Sequence, residues 1–382
     1  MFKNLYENSV ANTYGRFDVE IVKGNGAVFY DTDNKKYIDF TSGIGVNSLG
    51  FCDNDWSRAV SEQAAKLNHI SNLYYTQPAG ELAEKLTSIT GYSKVFFSNS
   101  GAEANEGAIK AARKYSYDKY GEGRFTILSL ENSFHGRTLT TLSATAQPAL
   151  QKGFSPLTCG FKYVPAGDID AIKQRLTDDV CAVMLEYIQG EGGVNVLEKD
   201  YIEKLYALCA KKDILIIADE VQTGIGRTGK ILCGEHYNVK ADITTLAKGL
   251  GGGLPIGAVL FNEKTSQVLG HGTHGTTYGG NPIVCAGANV VLNKICEKDF
   301  LESVIKKGDY IRQELESYAK IDGIGLMLGL NLKDKTALDV VKQAIEKGLL
   351  TLTAKEKLRL LPPLNINKKE LIDGVAILKE II

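Results

Sequence analysis

Two charged side chains come at the ends of apolar runs that predict buried strands. Lys248 follows D-I-T-T-L-A and precedes a glycine-rich turn, and Asp219 closes D-I-L-I-I-A-D. The apolar run draws the lysine inward, and a desolvated lysine loses proton affinity, so its amine becomes usable for Schiff-base chemistry. A buried carboxylate needs a cation or several donors nearby. Taken singly, Lys248 would be a surface charge and Asp219 a turn or helix-capping residue.

A third motif, S-N-S-G-A-E-A-N at residues 98–105, lies where an apolar strand ends and a helix begins. The free amides and the positive end of a helix suit a phosphate, although Ser-Gly before a helix is also a common cap. An amine, a carboxylate and a phosphate cradle on separate strand ends match the contacts of pyridoxal phosphate (PLP). This cofactor acts as an electron sink when its ring nitrogen is kept positive.

Short apolar runs without alternation predict strands that are covered on both faces. They lie at residues 94–97, 125–130, 180–185, 213–219, 242–247 and 257–261. Helical stretches between several of them favour a mostly parallel sheet in an α/β domain. We expect a large PLP-binding domain over 45–296, and a smaller α+β domain formed by 1–44 and 297–382.

The composition favours small-molecule partners. The 382 residues carry 44 basic and 45 acidic side chains, which offers no field for nucleic acid and no polybasic membrane anchor. The first twenty residues lack the pattern of a signal peptide, and no apolar run approaches the ~20 residues that span a bilayer. Seven cysteines without Cys-x-x-Cys spacing fit the cytoplasm, and no metal site is expected because no three ligands cluster.

Four motifs, in this order along the chain, resemble the class III aminotransferases of fold type I: S-G-A-E-A-N, D-E-V-Q-T-G-I-G-R-T-G, L-A-K-G-L-G-G-G-L-P-I-G-A and G-T-T-Y-G-G-N-P. The resemblance covers nearly the whole chain. It implies the PLP-transferase fold with a mostly parallel, seven-stranded-type sheet, and a homodimer with shared active sites. It also implies that Lys248 carries PLP and that Asp219 pairs with the ring nitrogen. The other implied cofactor contacts are Ser100, Gly101 and Ala102 at the phosphate, Phe134 and Val221 on the ring faces, Gln222 at the phenolic oxygen, and Thr277 at the partner subunit's phosphate.

The same resemblance assigns the substrate-binding residues. Arg359 would grip the α-carboxylate of glutamate or 2-oxoglutarate, and Arg137 the carboxylate far from the reacting carbon. Glu191 would mask Arg359 while an amine donor is bound, and Thr276 is placed on the substrate side. An arginine fork binds a carboxylate bidentately, although an anonymous arginine is more often in a surface ion pair.

Two stretches of the sequence narrow the choice of the amine donor. S-N-L-Y-Y-T at 71–76 resembles the acetylornithine aminotransferases, and Gly43 stands where the ornithine aminotransferases have a tyrosine for the free α-amine. N-Acetylornithine is therefore the expected donor and 2-oxoglutarate the acceptor, as in arginine biosynthesis. N-Succinyldiaminopimelate, ornithine and 4-aminobutyrate remain alternative donors.

Two other classes of protein remain open, and the chain departs from the family at three places. G-I-G-R-T-G at 224–229 matches a dinucleotide-binding motif, but D-E-V-Q-T separates it from its strand and no good helix follows. The second possibility is a sensor protein that binds PLP without catalysis. The chain has no DNA-binding extension, which argues against such a sensor. F-C-D-N-D follows Gly50 in place of the family's G-H-x-H-P, Asp322 replaces an arginine, and Tyr187 replaces a proline.

Overall fold

The computed structural model describes residues 2–382. The amino-terminal part contains helix α1 Phe2–Ser9, strands β1 Ile21–Asn25, β2 Val28–Asp31 and β3 Lys36–Asp39, and helices α2 Ser42–Gly45, α3 Asn54–Lys66 and α4 Gln77–Thr90. The three strands form an antiparallel meander. In the short α2 turn, Gly43 and Ile44 have left-handed backbone angles, with φ of 60° and 66°.

The central part alternates strands and helices, as the sequence predicts. Its elements are β4 Lys94–Ser98, α5 Gly101–Tyr120, β5 Thr126–Leu130, α6 Leu139–Ala144, α7 Pro148–Gln151, β6 Phe161–Val164, α8 Ile169–Arg175, β7 Val180–Leu185, β8 Ile188–Gln189, β9 Asn195–Val196, α9 Lys199–Lys211, β10 Leu215–Asp219, β11 Ile243–Leu246, β12 Gly257–Phe261 and α10 Pro282–Ile295. Two 3₁₀ turns lie at Cys233–Tyr237 and Lys248–Leu250.

Seven of these strands form one sheet in the order β4-β12-β11-β10-β7-β5-β6. Only β12 runs antiparallel to its neighbours, β11 and β4. Successive residues of a central strand enter opposite hydrophobic layers: Ile216 packs with Leu128 on one face, and Ile217 packs with Met184 on the other. Because both faces are covered, the strands have no polar side, which explains their uninterrupted apolar sequences. The predicted seven-stranded-type, mostly parallel sheet is confirmed.

The carboxyl-terminal part contains α11 Phe300–Leu315, β13 Lys320–Ile324, β14 Met327–Asn331, α12 Ala337–Glu346, β15 Leu349–Leu350, β16 Leu352–Ala354, β17 Lys357–Leu360 and α13 Lys368–Ile381. Strands β13, β14, β17 and β16 form an antiparallel sheet. Strand β15 instead pairs in parallel with β3, with Leu349 opposite Ile38, so both ends of the chain share one sheet. The domain boundaries near 45 and 296 stay a prediction.

One strand of the large sheet differs from the sequence-based expectation. Strand β6, with sequence F-K-Y-V, was not predicted because it is a half-exposed edge strand without a continuous apolar run. Gly325, at φ 57°, forms the turn of the β13–β14 hairpin, a backbone conformation that favours glycine. Among residues 2–382, no helix combines the length and apolarity needed to cross a membrane.

Candidate active site

Three of the predicted chemical groups lie at one edge of the large sheet. Asp219 is the last residue of β10, and Lys248 follows the neighbouring parallel strand β11 by two residues. Ser100 follows β4 by two residues. The carboxyl ends of parallel strands share one edge, where α/β sheets bind ligands. The elements approach closely, because a Cβ added at Gly101 would stand 2.7 Å from Val221 Cγ1.

Asp219 is the centre of a buried polar network that was not predicted. Its Oδ2 accepts hydrogen bonds from Asn105 Nδ2 and His135 Nδ1, each at 2.7 Å. Its Oδ1 accepts one from the Val221 amide at 3.0 Å. These donors compensate the burial of the carboxylate and fix its orientation. Asn105 and His135 are polar residues inside S-G-A-E-A-N and F-H-G-R-T, which is the signal that could have found them.

Lys248 occupies a strained backbone position. Its φ of 39° lies near the left-handed region, which residues with side chains seldom adopt and which clusters at functional sites. Burial lowers the pKa of Lys248; the nearby carboxylates of Glu191 and Asp219 oppose that shift, and the charge of Arg359 adds to it. A lowered pKa leaves more of the amine unprotonated, as a nucleophile or a general base requires.

The start of helix α5 presents amides that have no partner inside the helix. The first hydrogen bond of the helix runs from the Ala104 amide to Ser100 O at 3.0 Å, which leaves the amides of Gly101 and Ala102 in front of it. Ser100 Oγ caps the helix by accepting from the Glu103 amide at 3.1 Å. Free amides at the positive end of a 20-residue helix can hold a phosphate.

Phe134 and Arg137 lie on the segment between β5 and α6. The Phe134 amide donates to buried Glu186 Oε2 at 2.9 Å, and Glu186 Oε1 accepts from the Gly190 amide at 3.4 Å. Arg137 is exposed, with its guanidinium carbon 5.6 Å from the centre of the Phe134 ring. Burial raises the pKa of Glu186 to about 7. Glu186, which was not predicted, joins the Phe134 segment to the turn that carries Glu191.

Arg359, Glu191 and Gln222 form one hydrogen-bonded cluster. Arg359 Nη1 donates to Glu191 Oε1 at 2.6 Å and to Gln222 Oε1 at 3.3 Å. Burial is the largest influence on the Glu191 pKa and raises it, but the charge and hydrogen bond of Arg359, together with Lys248 and Gln222, outweigh burial and lower the pKa. Arg359 is only 3% exposed, and its Nε has no hydrogen-bond partner within residues 2–382. A buried guanidinium with an unused donor is suited to a second carboxylate.

The two threonines of the G-T-T-Y motif are placed differently. Thr276 Oγ1 accepts a hydrogen bond from Asn99 Nδ2 at 3.1 Å, beside the phosphate-cradle turn. Thr277 is exposed and lines a surface cavity of about 270 Å³ with the stretch 71–76. A single chain therefore brings Thr276 to the turn before α5, whereas Thr277 faces the surface cavity.

The turn 224–229 lacks the geometry of a dinucleotide site. A 3₁₀ turn at Cys233–Tyr237 follows it instead of an α-helix. Its Arg227 is buried and donates to the carbonyl oxygens of Leu326 at 3.1 Å and Pro362 at 2.5 Å. This motif holds the large sheet against the carboxyl-terminal part of the chain. Within residues 2–382 there is also no group of three potential metal ligands.

Comparison with known proteins agrees with this arrangement. The family described as Aminotransferase class-III matches residues 9–382. The chain belongs to this family. It is accordingly an aminotransferase that uses PLP, and the predicted family, enzyme class and cofactor are confirmed.

Relatives and solved structures match over nearly the full length of this aminotransferase. Acetylornithine aminotransferase of Haemophilus ducreyi is 51% identical over 100% of the chain and 98% of its own length. That of Methanocaldococcus jannaschii is 49% identical over 95% and 92%. The structure of acetylornithine aminotransferase from Elizabethkingia anophelis has a TM-score of 0.88 at 35% identity, with 100% and 98% covered. Ornithine aminotransferase from Toxoplasma gondii has a TM-score of 0.94 at 32% identity, with 99% and 93% covered.

Proposed function

We propose that this aminotransferase transfers the δ-amino group of N-acetylornithine to 2-oxoglutarate, in the cytoplasm, as a step of arginine biosynthesis. The observation that carries this proposal is the buried Arg359, paired with Glu191 at 2.6 Å and close enough to influence the pKa of Lys248. A guanidinium that a movable carboxylate covers can serve two substrates in turn, one with a carboxylate on the reacting carbon and one without. The names of the relatives support the choice of donor.

The residues at the sheet edge fit PLP. The amides of Gly101 and Ala102 would hold the phosphate, Asp219 would face the ring nitrogen, and Phe134 and Val221 would cover the ring faces. Gln222 would lie near the phenolic oxygen. The fit rests on the free amides, on the buried carboxylate fixed by Asn105 and His135, and on the desolvated amine. When bound, PLP supplies an electron sink that stabilises negative charge on the donor carbon.

In the reaction, Lys248 would carry the cofactor and would also transfer protons. Its Nζ would take the proton from the donor carbon as a general base, and return a proton as a general acid. The lowered pKa of Lys248 suits both roles, because a less basic amine is unprotonated in a larger fraction of molecules and gives up its proton more readily. Arg359 and Arg137 would orient the carboxylates of 2-oxoglutarate by bidentate hydrogen bonds. The burial of Arg359 excludes water from that contact.

We propose that Glu191 determines which substrate can bind in each half-reaction, by covering or releasing Arg359. Replacing it with alanine exposes the Arg359 charge at all times, which favours dicarboxylates and disfavours the donor, whose δ-amine end carries no carboxylate. We expect kcat/KM for N-acetylornithine to fall about tenfold, while kcat/KM for glutamate is kept or raised. Single-turnover absorbance of the cofactor measures each half-reaction. Glu203→Ala, on the exposed face of α9, is the control, and an unchanged ratio of the two rates contradicts the proposal.

The donor preference is assigned to the turn around Gly43. Ser42 Oγ donates to Leu361 O at 2.6 Å, and Ser48 Oγ donates to Gly249 O at 3.2 Å, so this turn bridges the strands of Arg359 and Lys248. A glycine there offers no polar side chain to a free α-ammonium and leaves room for an acyl group.

We therefore expect kcat/KM for N-acetylornithine to exceed that for ornithine by about ten- to a hundredfold, since residue 43 offers a free α-ammonium no side-chain acceptor. The measurement is steady-state kinetics with both amines at fixed 2-oxoglutarate, with N-succinyldiaminopimelate and 4-aminobutyrate in parallel. A preference for free ornithine or 4-aminobutyrate would overturn the assignment. A preference for N-succinyldiaminopimelate would move it to that second acylated donor.

We also propose a homodimer with shared active sites. Thr277 is exposed in the single chain and lines one cavity with Tyr74 and Tyr75. The two segments that form this cavity carry several exposed apolar side chains: Ile70, Leu73, Tyr74, Tyr75 and Tyr278. Exposed apolar side chains grouped in this way favour a protein contact. A second copy seated there would let its Thr277 reach the phosphate cradle of the first.

A further inference from the structure

Asp322, which stands where the family has an arginine, has an unexpected partner. Its Oδ2 accepts from Lys357 Nζ at 2.7 Å and from Asn331 Nδ2 at 2.8 Å. Burial opposes the ionisation of Asp322, but Lys357 and Asn331 outweigh it and lower the Asp322 pKa. Lys357 precedes Arg359 by two residues on β17, so the two side chains point to the same face of the strand.

Lys357 reaches from this strand to the turn that carries Glu191. Its Nζ donates to Asn195 Oδ1 at 3.0 Å. Asn195 in turn donates from Nδ2 to Gly192 O at 2.8 Å, which closes the loop of the β8–β9 hairpin immediately after Glu191. The backbone of this loop is therefore tied to the Arg359 strand independently of the ion pair between Glu191 and Arg359.

Packing fixes the same loop a second time. Gly329 is paired directly with Arg359 across β14 and β17. A Cβ added at Gly329 would stand 2.8 Å from Val194 Cβ and 3.3 Å from Lys357 Cδ, so the buried Val194 and the lysine stem both lie over this glycine. The loop rests on the strand pair at the register of Arg359, where a shift of its backbone would change the reach of Glu191.

We propose that Asp322, Lys357 and Asn195 form a latch that positions Glu191 on Arg359. The inference rests on the proposed function, in which Glu191 alternately covers and releases Arg359. With the loop backbone held by the latch, release requires only rotation of the Glu191 side chain. Without the latch the loop has additional positions in which Glu191 does not reach Arg359, so the covered state loses population. The three latch residues are positioning residues, because none of them contacts Arg359.

The expected effect follows from this change in population. A dicarboxylate binds only those molecules in which Glu191 does not cover Arg359. Its apparent affinity is therefore proportional to the fraction of molecules in this uncovered state. The lysine side chain is 14% exposed and that of the aspartate 27%, so solvent weakens their attraction less than that of a fully exposed pair. We expect the loss of the latch to raise the apparent affinity for a dicarboxylate by about three- to tenfold.

The test uses the PLP-loaded enzyme and glutarate, a dicarboxylate that has no group to transaminate. Calorimetric titration of Lys357→Met and Asn195→Ala should give a glutarate Kd about three- to tenfold below that of the native enzyme. The kcat/KM for N-acetylornithine should fall in the same variants, while kcat/KM for glutamate should not. Lys357→Arg retains a cation that can reach both partners, and should restore native behaviour. Lys320→Gln is the matched control, because it removes a cation of β13 that is 83% exposed and 3.9 Å from Asp322.

The Glu191→Ala background separates this inference from the proposed function. There the glutarate Kd should already be low, and adding Lys357→Met should change it no further. If Glu191→Ala tightens glutarate binding but the latch variants do not, the latch is wrong and the switch stands. If Glu191→Ala leaves glutarate binding unchanged, the switch itself is wrong. If kcat/KM of the latch variants falls equally in both half-reactions and their glutarate Kd is unchanged, the latch residues have only a structural role.

Discussion

Replacing Lys248 with arginine is expected to lower the rate of both half-reactions by about three orders of magnitude or more. Arginine keeps the positive charge and the length of the side chain. Its guanidinium stays protonated at every pH at which the protein is folded, so it can neither accept a proton nor attack a carbonyl carbon. The native lysine has the opposite tendency, since burial lowers its pKa.

The measurement combines single-turnover kinetics with borohydride reduction and mass spectrometry of the peptide that contains residue 248. The native chain should retain a reduced PLP adduct on Lys248, and Lys248→Arg should retain none. The control is Lys230→Arg, at an exposed position just after the glycine-rich turn 224–229. This variant should react at the native rate. A borohydride-stable adduct together with a native rate in Lys248→Arg would contradict the assignment of the anchoring amine.

Replacing Asp219 with asparagine is expected to lower kcat in both half-reactions by about a hundred- to a thousandfold. Asparagine has nearly the same shape, so the contacts with Asn105 and His135 can persist in part, but it carries no negative charge to keep a ring nitrogen positive. The surroundings of Asp219 offer no replacement anion in hydrogen-bond contact, since the groups that contact it are donors.

The control for this variant is Asp242→Asn. Asp242 is also a partly buried carboxylate of the large sheet, where its Oδ2 accepts from the Ile216 amide at 2.9 Å, but it lies at the opposite end of β11 from Lys248. We expect Asp242→Asn to lower the midpoint of thermal unfolding and to leave kcat unchanged, whereas Asp219→Asn lowers kcat. Native kcat in Asp219→Asn would show that the carboxylate serves only to hold the strand end together.

The large sheet and candidate residues for the cofactor could be predicted because their signals are local. A strand that is buried on both faces is mostly apolar, so β7 and β10 are visible as nearly uninterrupted apolar runs. A lysine or a carboxylate at the end of such a run is costly to bury unless partner groups or a ligand compensate its charge, and this marks Lys248 and Asp219. Strand β6 has no such signal, because an edge strand tolerates polar residues at half of its positions.

The sequence by itself determined the class of enzyme and the cofactor, because the four motifs that resemble the class III aminotransferases are continuous stretches that can be recognised without the fold. Only the tertiary structure decided which distant side chains meet. His135 reaches Asp219 across 84 positions, and Lys357 reaches Asn195 across 162. The partners of Asp322 could not be deduced either, since its charge is opposite to the family's arginine. Such contacts depend on how two parts of the chain pack against each other, and no local pattern encodes that packing.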